Sequence, residues 1–119
     1  MIRIFVFSYS GDAAEAVACV RCVRMAVPYA SVTVVDDAAS PVQEDTAAAL
    51  RSIGADYVQS SWDRQGNLRG PACIRGMLSE MCREAEDDDI VVKIDCDTAL
   101  LDDGWLRWMD AHPACPMYA

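Results

Sequence analysis

The sequence predicts a three-layer α/β/α sandwich, Rossmann-like, around a mainly parallel sheet. Three observations predict it. Short β-branched or aromatic apolar runs alternate with segments of helical period. The first run is apolar almost continuously, as in a strand covered on both faces. Polar and acidic residues follow the strand runs directly, at the edge where open α/β sheets bind ligands.

Residues 2–8, IRIFVFS, read as the first strand, with Gly11-Asp12 breaking the chain after it. From Ala13 to Ala26 the period is helical: Ala13, Ala16, Val17, Val20 and Val23 share a face, Arg21 and Arg24 lie off it, and Pro28 ends the run. Residues 31–35, SVTVV, form a β-branched second strand closed by Asp36-Asp37. A second helix is expected from Ser40 as N-cap, Pro41 at the first helical position and Gln43 completing a capping box, with Gly54 as its stop. Residues 55–60 read as a weaker third strand, and 61–70 as a polar loop carrying Arg64 and Arg69. Pro71 opens a third helix whose core stripe is Ile74, Met77, Leu78 and Met81. EAEDDD, residues 84–89, reads as a solvated helix end and turn. IVVKI, residues 90–94, is the fourth strand, and a short helical WLRWMDAH follows. Alternation in this order implies parallel pairing through right-handed crossovers.

The chain has 119 residues, 53% of them apolar, which is enough for one domain with a real core. The net charge of −9 argues against nucleic acid and anionic membranes as partners. It leaves room for a phosphate-bearing small ligand, because a metal and a few arginines reverse the local sign. No run is long enough for a transmembrane segment, and six scattered cysteines are no disulfide framework, so a cytoplasmic location is expected.

Asp95-Cys96-Asp97 ends the fourth strand run. In an extended segment Asp95 and Asp97 point to one side and Cys96 to the other. Two close carboxylates repel unless a cation relieves them, and an oxygen-only pair suits Mg²⁺ or Mn²⁺. On spacing alone a capped turn fits as well. Either Asp36 or Asp37 could cap a turn before Ser40.

FVFSYS, VVDDAAS and VVKIDCDTALLDDGWL, each running off a strand end, together resemble the N-terminal, nucleotide-sugar-binding half of a GT-A-fold glycosyltransferase of the family 2-like kind, with its DxD motif. The resemblance covers most of residues 1–119, read as one domain cut short at its C-terminus. It implies donor binding with Mn²⁺ or Mg²⁺, the donor being a UDP- or GDP-sugar. Ser8 and Tyr9 match the loop that packs on the base. Asp36 or Asp37 matches the acid that bonds the base or ribose. Asp95 matches the first DxD acid, near ribose and metal, and Asp97 the acid that ligates the metal. Arg64 and Arg69 match a basic loop that reaches the nucleotide. No residues match the acceptor site or the catalytic base, so a missing C-terminal half or a homo-oligomer is expected to complete the site. An open sheet edge and an apolar patch around Trp105, Trp108 and Met109 favour self-association.

Two other classes compete. A receiver-type signalling domain has this length and acidic strand ends, but its acidic pair follows the first strand. A zinc module would use Cys19, Cys22, His112 and Cys115, although the first two fall inside a helix.

Overall fold

A computed structural model describes residues 1–62 and 70–113. Its elements are β1 (Ile2–Ser8), α1 (Ala13–Ala26), β2 (Ser31–Asp36), α2 (Glu44–Ser52), β3 (Asp56–Gln59), α3 (Gly70–Cys82), β4 (Ile90–Asp95) and α4 (Gly104–Ala111). A 3₁₀ turn, Ser10–Asp12, joins β1 to α1. The four strands form one sheet in the order β3-β2-β1-β4, and every pairing is parallel.

That order fixes where helices and ligands go. The chain steps outward from β1 to β2 to β3, then returns across the sheet to place β4 on the other side of β1. Right-handed crossovers put helices on opposite faces when the step reverses. Accordingly α1 and α2 pack on one face, where Ile4, Val6, Val32, Val34 and Ile94 meet Ala16, Val20, Val23 and Leu50; Trp105 and Leu106 of α4 join the same cluster. On the other face α3 covers Phe5, Phe7 and Val35 with Cys73, Met77 and Met81. The reversal lies between β1 and β4, and in open α/β sheets ligands bind beyond the carboxyl ends of the strands at such a point. A receiver-type sheet would place β1 between β2 and β3. Here β3 lies outside β2, which excludes that topology.

α1 matches its predicted limits, and α2 stops as expected. Gly54 has φ +87°, the Gly54 N–H bonds the Arg51 carbonyl at 3.0 Å, and the Ala55 N–H reaches back to Leu50 at 3.1 Å. These two bonds are a Schellman ending, which glycine accepts without steric cost.

Three local expectations are corrected. The first concerns the start of α2. The helix begins at Glu44, and Ser40-Pro41-Gln43 form no capping box. The Asp36 carboxylate takes the Val42 N–H at 2.7 Å, while Ser40 bonds Ser10, so the segment stays a loop laid over the strand ends. The second concerns α3, whose buried stripe is Cys73, Met77 and Met81; Ile74 and Leu78 are more than half exposed. Both stripes satisfy a helical period, and the helix turns the narrower one, spaced i, i+4 and i+8, onto the sheet. The third concerns the acidic run. Asp89 is not solvated but accepts bonds from Arg3 Nε at 2.6 Å and from the Glu86 N–H at 3.0 Å. The backbone bond from Glu86, then Arg3, hold its carboxyl well below the usual range. Asp89 thus ties the turn before β4 to the start of β1.

Candidate functional site

The carboxyl ends of β1, β2 and β4 are level. Ser8 pairs in register with Asp36, and Phe7 with Asp95. Three connections leave this edge side by side, and they carry the residues expected to bind a ligand.

Asp36 is fully buried. Its Oδ1 accepts the Ser8 hydroxyl at 2.9 Å; its Oδ2 accepts the Val42 N–H at 2.7 Å and the Tyr57 hydroxyl at 2.5 Å. A buried carboxylate is costly unless its lone pairs are filled, and three internal donors fill them here. Asp36 therefore joins β1, β2, β3 and the loop before α2 at one point. Asp37, also buried, accepts the Ala39 N–H at 3.0 Å and so caps the next turn, while its own N–H bonds the Ser8 carbonyl at 3.0 Å. Burial, and then the hydrogen bond to Asp36, push the Tyr57 phenol up to about 12.

Beyond Ser8 the chain is extended at Tyr9, a residue 41% exposed. The ring lies across Gly11: a Cβ there would stand 2.6 Å from Cε2 and Cζ, so only glycine lets the ring take this place. The loop is fixed to its neighbour by the Ser10 N–H on the Ser40 carbonyl at 2.7 Å, and by the two serine hydroxyls at 2.6 Å.

β4 ends at Asp95, and Cys96-Asp97 form a turn closed by the Thr98 N–H on the Asp95 carbonyl at 3.0 Å. The strand does not continue extended through Asp97 as expected, because this bond bends it. The alternation nevertheless survives. Ile94 and Cys96 are buried; Asp95 and Asp97 are exposed. Asp95 pairs with Lys93 two residues back on the same strand. The pair is exposed and therefore weak.

Sequence reasoning missed Asp12. An aspartate opening a helix reads as an N-cap, yet its side chain makes no cap bond to α1. Instead Asp12 Oδ2 accepts the Cys96 thiol at 3.0 Å. Burial, followed by this bond, pushes Cys96 up to about 12, and burial pushes Cys19 up to about 11, so both thiols stay protonated donors at neutral pH. The only signal in the sequence was Cys96 itself, an apolar-behaving residue between two acids.

Arg64, Arg69 and Cys115 lie outside the described residues. Among the described residues no group of three or more His, Cys, Asp or Glu could hold a metal ion. Cys19 and Cys22 sit within α1, and His112 stacks on Trp108 with ring centroids 4.2 Å apart. Two exposed carboxylates suit a hard cation that completes its shell with waters and ligand phosphates, not a structural zinc. A cavity of about 630 Å³, lined by Arg3, Thr33, Asp56 and Glu80 among others, lies at the amino ends of the strands, away from these acids.

A parallel sheet in this order, with polar and acidic connections at one edge, defines a Rossmann-like α/β class of fold. No protein-family model matches the sequence, and no curated protein matches it. Among solved structures, the chain is similar to galactosyltransferase LgtC in complex with donor and acceptor sugar analogs, with TM-score 0.58, 19% identity, and coverage of 91% of this chain and 42% of that one. An active-site mutant of LgtC matches with TM-score 0.56, 20% identity, and coverage of 91% and 41%. The fold of the chain is thus the GT-A glycosyltransferase fold, and the chain spans about two fifths of the length of those structures. Among the described residues no helix is long and apolar enough to cross a membrane.

Proposed function

We propose that residues 1–119 form one nucleotide-sugar-binding domain, the donor part of a glycosyltransferase that transfers a sugar from a UDP- or GDP-sugar to an acceptor hydroxyl. The observation that carries this reading is the level edge at β1 and β4. An exposed aromatic ring, Tyr9, stands across the topological switch point from two exposed carboxylates, Asp95 and Asp97. One side offers an apolar face for a base, the other oxygen ligands for a cation on a diphosphate.

On this reading Tyr9 packs against the base, held by Gly11 and by the Ser10–Ser40 bonds. Asp37 or its neighbouring backbone meets the base or ribose. Ser8 and Asp36 act from behind, keeping the loops in place. Asp95, paired with Lys93 in this structure, would lie toward ribose and metal. Asp97 ligates the cation, Mn²⁺ or Mg²⁺. When bound, that cation offsets charge on the leaving diphosphate. Arg64 and Arg69 keep the nucleotide-binding role that the resemblance implies, and they fall outside the described residues. Among the described residues none is assigned to holding the acceptor or accepting its proton, so donor binding is the activity proposed for them.

Calorimetric titration with UDP and with GDP, each with and without Mn²⁺, tests the reading. One nucleotide is expected to bind, about tenfold or more tightly with the metal. No binding of either under both conditions would overturn it, and stoichiometric zinc in the purified protein would favour a structural metal site instead.

A further inference from the structure

Two contacts from the α1 segment grip the Asp95–Thr98 turn from its buried side. Asp12, just before the helix, accepts the Cys96 thiol at 3.0 Å. Cys19, two helical turns on, lies with its thiol 3.8 Å from the Asp95 carbonyl. That same carbonyl accepts the Thr98 N–H that closes the turn. Cys19 and Cys96 are 2% and 6% exposed, so water does not compete for either contact.

We propose that Asp12 is a positioning residue for the acidic turn. By accepting the Cys96 thiol, it holds Cys96 inward and so directs Asp95 and Asp97 outward, side by side. The physical reason is the alternation at the strand end. The turn has one bond of its own, from Thr98 to Asp95, and a two-residue turn with a single bond rotates easily. Anchoring its middle residue removes that freedom, because turning either acid inward would pull Cys96 off Asp12. A hydrogen bond from a buried thiol to a carboxylate is directional, whereas packing of a small apolar residue is not. Asp12 also follows the Tyr9–Gly11 segment directly, so one short stretch of chain sets both sides of the crevice. The consequence for a metal rests on the donor-binding reading above; the anchoring of the turn does not.

Two measurements test it. The first is hydrogen exchange of the Thr98 amide in the protein without ligand, with the Val6 amide in β1 as the reference for global opening. Asp12→Ala and Cys96→Ala are expected to speed Thr98 exchange about fivefold while Val6 stays unchanged, the factor that one modest hydrogen bond represents. Cys96→Ser keeps a donor and Asp12→Asn keeps an acceptor, and both are expected to retain most of the protection. The second measurement is UDP binding with Mn²⁺ and with EDTA. The two alanine variants are expected to weaken the Mn²⁺-dependent part about fivefold and leave the EDTA value within twofold. Unchanged Thr98 exchange in both alanine variants overturns the proposal. So does a serine variant as labile as the alanine one, since packing alone would then explain Cys96. The expected exchange pattern in a protein that shows no Mn²⁺ effect on UDP upholds the anchored turn and overturns the donor reading.

Discussion

Asp36 and Asp97 both stand at the carboxyl edge of the sheet, Asp36 as the last residue of β2 and Asp97 in the turn after β4, and both belong to a pair of nearby acids. Asp36 is fully buried and accepts three hydrogen bonds from Ser8, Val42 and Tyr57. Asp97 is exposed, on a turn whose other acid, Asp95, has only a surface lysine beside it. The difference lies in the donors around each acid. β2 is interior to the sheet, so its end lies between Ser8 of β1 and Tyr57 of β3, whose hydroxyls converge on Asp36 together with the Val42 amide of the loop that follows β2. β4 is an edge strand among the described residues, and its end meets one neighbour, β1. An acid at an enclosed strand end becomes a structural joint, whereas one at an open end keeps its lone pairs for something else.

The largest test of this contrast is Asp36→Ala. It would take from the Ser8 hydroxyl, the Val42 amide and the Tyr57 hydroxyl the buried carboxylate they share. Each unsatisfied buried group costs about 1–3 kcal/mol, and the cavity adds to it, so a loss of about 3–5 kcal/mol in unfolding free energy is expected. Urea denaturation followed by circular dichroism measures it. A loss under about 1 kcal/mol would mean the three donors find other partners, and Asp36 would no longer be the joint of these loops.

How far each end could be read from residues alone follows the same division. Backbone features were legible because they depend on the local pattern: the apolar run of β1, the 14-residue span of α1, and the stop at Gly54. The parallel sheet followed from the alternation. What escaped was set by side chains meeting across long separations. Ser40, Pro41 and Gln43 have the right identities for a helix start, but the Asp36 carboxylate captures Val42 and delays the helix to Glu44. Ile74 and Leu78 fit a core stripe as well as Cys73 does, and only contact with Phe5 and Phe7 decides between them. Of the candidate site, the three strand-end segments were visible as polar residues after apolar runs. The enclosure of Asp36 and the bond from Cys96 to Asp12, 84 residues apart, were not.

Tyr57→Phe sharpens the contrast by removing one donor and leaving the other two. A hydrogen bond to a buried carboxylate contributes about 1.5 kcal/mol, and that is the expected loss at neutral pH. The pH dependence gives a second signature. The phenol titrates at about 12 in the folded protein against an ordinary 10.0. A raised folded value means that its contribution is fully present below pH 10 and is lost as pH climbs through 12. The wild type should therefore lose stability over that window more steeply than Tyr57→Phe. Parallel curves for the two proteins in alkaline urea titrations would show that Tyr57 is not bonded to Asp36 in solution.

The smallest effect on stability is expected from the other side of the comparison. Asp97→Ala removes an exposed carboxylate with no bond to another group in the described residues, so unfolding free energy should change by no more than about 0.5 kcal/mol. The sign is expected to favour the variant slightly, because repulsion with Asp95 is relieved; raising the salt concentration should shrink the gain, since exposed charges are screened. Against this small change stands the effect on ligand binding. On the donor-binding reading Asp97 supplies one of two protein carboxylates to the cation. Its loss should abolish the Mn²⁺-dependent increase in UDP affinity and leave the metal-free affinity in place. The two columns of data separate the alternatives. Large destabilisation with intact Mn²⁺-dependent binding would make Asp97 a second structural joint, like Asp36. Unchanged stability together with unchanged Mn²⁺-dependent binding would leave Asp97 an ordinary solvated turn residue, and the open end of β4 would no longer be a metal site.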